Sequence, residues 1–245
     1  MRQTQTMDLR LPLFLDILCG YSYNEIGEYM KEYDYILFDL DGTLVASAES
    51  VRVSLAYAME ALWLPCPDLS DYSLYVGPPL EDTFRGMCAV PEELIPKAME
   101  LYRDYYDEVG QKQSRLFDGV NEMLTALCER GKKLAICTSK NETVAGTVAD
   151  VMGLTPCFDA ICGSSLDGSR KAKAELIPYA LKALGCTDKT KAVMVGDTHF
   201  DARGAKLAGV DFLGVTYGYG AKEGMEACGA IGFADSPKEI TGALW

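Results

Sequence analysis

Two pairs of aspartates sit where apolar runs end: Asp39 and Asp41 in YILFDLDGT, and Asp197 and Asp201 in AVMVGDTHFD. A third apolar run, KLAIC, ends in Thr138, Ser139 and Lys140, and Lys171 and Lys173 stand at the front of the helical pattern KAELIPYALKA. Carboxylates gathered in one place repel. A hard divalent cation offsets that repulsion, and an all-oxygen ligand set favours Mg2+ over zinc. A hydroxyl and an ammonium group beside such a cation bind a phosphate dianion. Two positions along an extended segment return to the same side, so Asp39 and Asp41 can face one group, and Gly42 lets the chain turn sharply after them.

These residues meet only if the elements beneath them bring strand ends together. The runs 35–40, 133–138, 192–197 and 211–217, with a weaker one at 158–163, are apolar throughout rather than alternating, which suits strands buried on both faces. Helical patterns at 119–130, 141–152, 173–184 and 200–208 lie between them, followed by Gly131, Gly153, Gly185 and Gly209 where a helix C-terminus favours glycine. The alternation predicts an α/β fold with a doubly wound, mostly parallel sheet, whose strand C-termini share one edge. Residues 47–114 interrupt the rhythm and read as helices throughout. They predict an inserted all-helical subdomain that hangs from the first strand and covers the site. The expected organisation is an α/β core of 33–46 and 115–245, a helical insertion of 47–114, and an N-terminal extension of 1–32.

Composition narrows the function. The chain has 245 residues, 49% of them hydrophobic, and a formal net charge of -13. Such a surface repels nucleic-acid backbones and anionic membranes. The apolar run 11–19 is short and broken by Asp16, so neither a membrane span nor a secretion signal is expected. Nine cysteines without a C-x-x-C pair fit small buried hydrophobes in a reducing cytoplasm. The single histidine, His199, has no G-x-S-x-G sequence to serve as base for, and is expected to face solvent.

DLDGTL, CTSK and VGDTHFD, in that order and each at a strand end, resemble the signature motifs of the haloacid dehalogenase superfamily, and the insertion resembles its helical cap. VGPPLEDTF (76–84), SRLFDGVNEML (114–124) and GVTYGYG (214–220) are similar to the phosphoglycolate phosphatase-like branch. The resemblance runs from about Tyr33 to the C-terminus. It implies that Asp39 is a nucleophile forming an aspartyl-phosphate and that Asp41 is the general acid and base. It further implies that Asp39, the Asp41 backbone carbonyl and Asp197 hold Mg2+. Asp201 would orient these groups, and Thr138 would hydrogen-bond the phosphoryl oxygens. The family's Lys-Pro-x-Pro is replaced by RKAKAELI, which leaves Lys171 and Lys173 as candidates for the phosphate-binding lysine, Lys173 preferred. Ser139 to Glu142 reads as a capping box, which makes Ser139 structural. GPPL (77–80) resembles a specificity loop, and Arg85 and Arg103 are expected on solvated helix faces.

The function implied is Mg2+-dependent hydrolysis of a small phosphate monoester, phosphoglycolate-like or a nucleoside monophosphate, by a cytoplasmic monomer or homodimer. The alternatives are a β-phosphoglucomutase-like phosphotransferase and a non-catalytic phosphate-binding module on the same fold.

Overall fold

The computed structural model describes residues 31–244 apart from Gly77 and Pro79. All but the end of the expected extension, and half of GPPL, lie outside the described residues.

Six strands form one parallel sheet: β1 (Tyr35–Phe38), β4 (Lys133–Asn141), β5 (Ala160–Ser164), β6 (Ala192–Gly196), β7 (Asp211–Val215) and β8 (Gly232–Ala234), in the order β5-β4-β1-β6-β7-β8. β1 lies at the centre, in parallel register with β4 on one side (Phe38 opposite Ile136) and β6 on the other (Phe38 opposite Val195). The chain builds outward from β1 to β4 and β5, then crosses back to β6 and builds the other way. The C-terminal end of β1 is therefore the point where strand order reverses, the place at which open α/β sheets bind ligands.

Side chains on β1 alternate. Ile36 and Phe38 enter the core formed with α3 (Val120–Glu129), α4 (Glu142–Val151) and α8 (Pro237–Ala243). Leu37 enters the opposite core, formed with α5 (Lys173–Ala183), α6 (His199–Ala208) and α7 (Lys222–Cys228). All three side chains are fully buried, each stabilising the fold by about 1.5–3 kcal/mol of transfer free energy. The sheet is doubly wound, as expected.

Between β1 and α3 the chain leaves and re-enters through a two-stranded antiparallel ribbon, β2 (Val45–Ala46) with β3 (Arg115–Leu116). The intervening residues hold α1 (Ala48–Ala61), a short helical segment spanning Leu80–Asp82 and Thr83–Met87, and α2 (Ile95–Glu108). This helical unit has a core of its own, with Val51, Leu55, Met59, Phe84, Ile95 and Ala98 at its centre.

Some boundaries differ from expectation. β5 begins at Ala160 and β7 ends at Val215, each two residues inside the apolar run. The capping box at Ser139 is not formed. β4 runs on past a bulge to Asn141, which pairs with Ser164, so the helix begins later than the sequence suggested. Asn141 caps α4 by accepting from the backbone N–H groups of Thr143 and Val144. Ser139 is exposed, and the Glu142 carboxylate accepts from Gly163 N at 3.1 Å and pairs with Arg170 at 2.8 Å. Among the described residues no helix is long and apolar enough to cross a membrane.

Candidate active site

Asp39 is the first residue past β1, and its amide still bonds to Val195 O on β6, which sets the side chain at the sheet's C-terminal edge. Its Oδ1 accepts from Leu40 N at 2.7 Å and from Lys173 Nζ at 2.9 Å. Lys173 opens α5, whose start is fixed by the Glu175 carboxylate accepting from the amides of Lys171 and Ala172. The lysine side chain is buried and also reaches Asp201 Oδ1 at 2.6 Å and Cys137 O at 2.7 Å. Lys171, the other candidate, is exposed. The acid at the third position of the helix is the sequence feature that favours Lys173 over Lys171, and that same acid sets the helix start.

Asp197 and Asp201 come from the loop after β6 and the first turn of α6. Asp201 serves two purposes: its Oδ2 accepts from the Thr198 amide (3.1 Å) and hydroxyl (2.6 Å), closing the α6 cap, while its Oδ1 faces Lys173. Asp197, fully buried, accepts from Tyr219 N at 2.8 Å and from Thr43 Oγ1 at 3.3 Å. The backbone crowds it on two sides. A Cβ on Gly42 would lie 2.2 Å from Asp197 Oδ2, and one on Gly218 would lie 2.3 Å from Asp197 Cβ. Gly42 also has φ +80, a conformation that side chains oppose.

Asp39, Asp197 and Asp201 offer carboxylate oxygens within 4.8 Å of one another. Burial pushes the Asp39 carboxyl up to about 6 against the pull of Lys173, with the charges of Asp201 and Asp41 adding to the rise. Burial, then the charges of Asp201 and Asp39, push Asp197 up to about 8. Lys173 is held charged: burial opposes its ammonium form, but the carboxylates of Asp201 and Asp39 outweigh that and raise it. One buried lysine therefore does not neutralise three buried carboxylates. Lys173 is shared between Asp39 and Asp201, Asp197 has no ion-pair partner among the described residues, and the all-oxygen donors of the cluster fit a hard divalent cation.

Asp41 lies apart from this triad. Its loop is closed by Gly42 N donating to Val45 O at 2.9 Å. Its Oδ2 pairs with Lys140 Nζ at 2.8 Å, and its Oδ1 is buried with no hydrogen-bond partner among the described residues. Thr138 is buried in β4 at the bulge that follows Cys137, where its Oγ1 accepts from Lys140 N at 3.2 Å and keeps its own proton to donate.

Sequence reasoning placed no role on Lys140, Thr43 or Tyr219. Lys140 stands two residues after Thr138, and that spacing was its signal. Tyr219 lies in GVTYGYG, where two glycines flank an aromatic that must approach backbone. Its hydroxyl accepts from Ala48 N at 3.0 Å, tying the start of the helical unit to the loop that holds Asp197. His199 is exposed and lies against Phe200. Arg85 pairs on the surface with Glu81, Asp82 and Glu92. Arg103 lines a cavity of about 320 Å³ on the helical unit with Glu81, Glu92 and Met99, and none of Asp39, Asp41, Asp197 or Asp201 lines it.

Comparison with known proteins agrees with this fold. Residues 36–215 match the model of the family described as haloacid dehalogenase-like hydrolase. A 5'-nucleotidase from Pseudomonas aeruginosa is 37% identical over 195 residues, covering 80% of this chain and 88% of the relative. A phosphoglycolate phosphatase from Caulobacter vibrioides is 34% identical over 212 residues, covering 83% and 89%. A solved structure of a haloacid dehalogenase-like hydrolase from Streptococcus pneumoniae superimposes with a TM-score of 0.81 at 30% identity, covering 88% of this chain and 100% of that one. With the sheet, the motif order and the family match in agreement, this chain belongs to the haloacid dehalogenase-like hydrolases.

Proposed function

We propose that this hydrolase is a Mg2+-dependent phosphatase that cleaves small phosphate monoesters through a phosphorylated Asp39. The observation that carries the reading is Asp39 itself: it ends the central strand, is held through Oδ1 by Leu40 N and Lys173, and shares the acidic cluster with Asp197.

Asp39, the Asp41 backbone carbonyl and Asp197 would hold Mg2+. The ion, when bound, neutralises charge on the carboxylates and on the phosphoryl oxygens. Lys173 and the Thr138 hydroxyl bind phosphoryl oxygens. A carboxylate oxygen of Asp39 attacks phosphorus as the ester P–O bond breaks, and Asp41 gives its proton to the departing alkoxide. Asp41, now ionised, takes a proton from water; the water oxygen attacks phosphorus, the bond to Asp39 breaks, and phosphate leaves. Most of the rate enhancement comes from positioning and charge stabilisation, as for phosphoryl transfer generally. The helical unit acts as a cap that excludes water and contacts the far end of the ester.

The test is turnover of p-nitrophenyl phosphate with and without Mg2+, followed by a panel holding phosphoglycolate, nucleoside monophosphates and sugar phosphates ranked by kcat/KM. Release of inorganic phosphate that needs Mg2+ and is lost in Asp39→Asn supports the reading. Turnover that survives Asp39→Asn would overturn it, and phosphoryl transfer to a second sugar phosphate in place of release would favour a mutase.

A further inference from the structure

Lys140 plays no part in the reaction as written above, yet it is among the best-anchored cations near the site. Its Nζ lies 2.8 Å from Asp41 Oδ2, 3.2 Å from the Tyr106 hydroxyl oxygen and 4.7 Å from the centre of the Tyr106 ring. Its side chain is 15% exposed, and Tyr106 is buried. Asp41 belongs to the loop after β1, Lys140 to the end of β4, and Tyr106 to α2 of the helical unit. One ammonium group thus joins a core carboxylate to the insertion.

We propose that Lys140 is a positioning residue that aims Asp41 at the substrate, and that Tyr106 completes this clamp only when the helical unit sits on the core. The proposal rests on Asp41 acting as the acid. The two carboxylate oxygens of Asp41 differ: Oδ2 is occupied by Lys140, and Oδ1 is buried and unpartnered among the described residues. Holding Oδ2 fixes the rotation of the carboxyl group and presents Oδ1. A buried polar atom without a partner costs stability, and a catalytic role is one reason for a fold to keep one. Lys140 holds this carboxyl, whereas Lys173 faces Asp39 and Asp201, so the two lysines divide the acids between them. The Tyr106 ring and hydroxyl both come from the insertion, so moving the insertion away removes two of the three contacts on the ammonium group. Alignment of the proton donor is thereby tied to the closed, water-excluding arrangement.

The experiment compares Lys140→Met, Lys140→Arg, Tyr106→Phe and Asp41→Asn on two esters. The leaving group of p-nitrophenyl phosphate departs without a proton, whereas that of glycerol phosphate requires one. Lys140→Met is expected to lower kcat on glycerol phosphate about ten- to a hundredfold, with KM little changed and a clearly smaller loss on p-nitrophenyl phosphate. Lys140→Arg restores part of the loss. Tyr106→Phe keeps the ring, removes the hydroxyl and shows the same leaving-group pattern more weakly. Adding Lys140→Met to Asp41→Asn changes kcat little further, because the two act as one unit. Equal losses on both esters, or a raised KM with kcat retained, would overturn the proposal. If Asp41→Asn is leaving-group selective and Lys140→Met is not, the positioning role alone fails. If Asp41→Asn is unselective in the single-turnover rate of Asp39 phosphorylation, a step in which its base role takes no part, the acid assignment fails and takes the positioning role with it. Should Lys140→Met not fold, Tyr106→Phe decides by the same criterion.

Discussion

At the residue scale the account turns on how six charged side chains, four carboxylates and two lysines, share one edge of a sheet. Removing Lys173 leaves the buried carboxylates of Asp39 and Asp201 unpaired, a loss of about 3–5 kcal/mol for a buried pair broken on one side. Lys173→Met is therefore expected to lower the Tm markedly as well as to abolish turnover, both readable from a melt and one assay. Asp41→Asn separates differently: turnover is expected to collapse while Mg2+ binding, followed by calorimetry, is largely kept, because the ligand proposed from Asp41 is its backbone oxygen. The raised carboxyls of Asp39 (about 6) and Asp197 (about 8) also fix the sign of a pH effect. Between the ordinary value of 3.8 and these values the folded chain holds protons that the unfolded chain has released. Their contribution to stability is thus complete below about pH 4 and is lost as pH rises through 6 and then 8. A cation held by these carboxylates offsets that loss, so under the proposed reading Mg2+ should raise the Tm more at pH 8 than at pH 5, and Asp197→Asn should flatten the difference. A Mg2+ effect that is equal at both pH values would contradict the charge accounting.

At the scale of elements, two short loops do as much as the strands. The cap of α6 is the reciprocal bond of Thr198 and Asp201, and Thr198→Ala is expected to cost about 1 kcal/mol. It also frees an Asp201 oxygen, so activity should fall further than stability alone explains. Gly218→Ala forces a methyl group against Asp197, and weakened Mg2+ affinity is the expected readout. The strands that carry these loops were legible because uninterrupted apolar runs such as YILF and AVMV have few other uses than a doubly buried parallel strand. Asp39, Asp197 and Lys173 were legible for the same reason, being tied to strand ends or to a helix start. The cap at Ser139 was misread because the β4–β5 pairing at Asn141 extended the strand and displaced the helix start, a tertiary effect invisible in a local pattern. β8, only three residues long, was missed, since GFA carries no periodicity. Lys140 and Tyr219 belong to quoted motifs but were given no role, because their partners, Asp41, Tyr106 and Ala48, lie 34 to 171 residues away, a distance no local pattern spans.

At the scale of the whole molecule, a chain with a net charge of -13 must draw a phosphate dianion to an acidic edge. Long-range repulsion is screened by salt, whereas contacts inside a closed site are not. Moderate KCl at fixed Mg2+ should therefore lower KM rather than raise it; a rise would show that the local field of Lys140 and Lys173 governs the approach. The helical unit is joined to the core by the β2–β3 ribbon and contacts it through Tyr219 at the stem and Tyr106 above the site. All of this presupposes that Asp39 is the group phosphorylated. The most direct test is to quench the protein in acid during turnover of p-nitrophenyl phosphate with Mg2+ and to locate the phosphoryl group by peptide mass spectrometry. The account predicts it on the peptide that holds Asp39, and its absence in Asp39→Asn; a phosphoryl group on another residue, or steady turnover with an unlabelled Asp39, would contradict it.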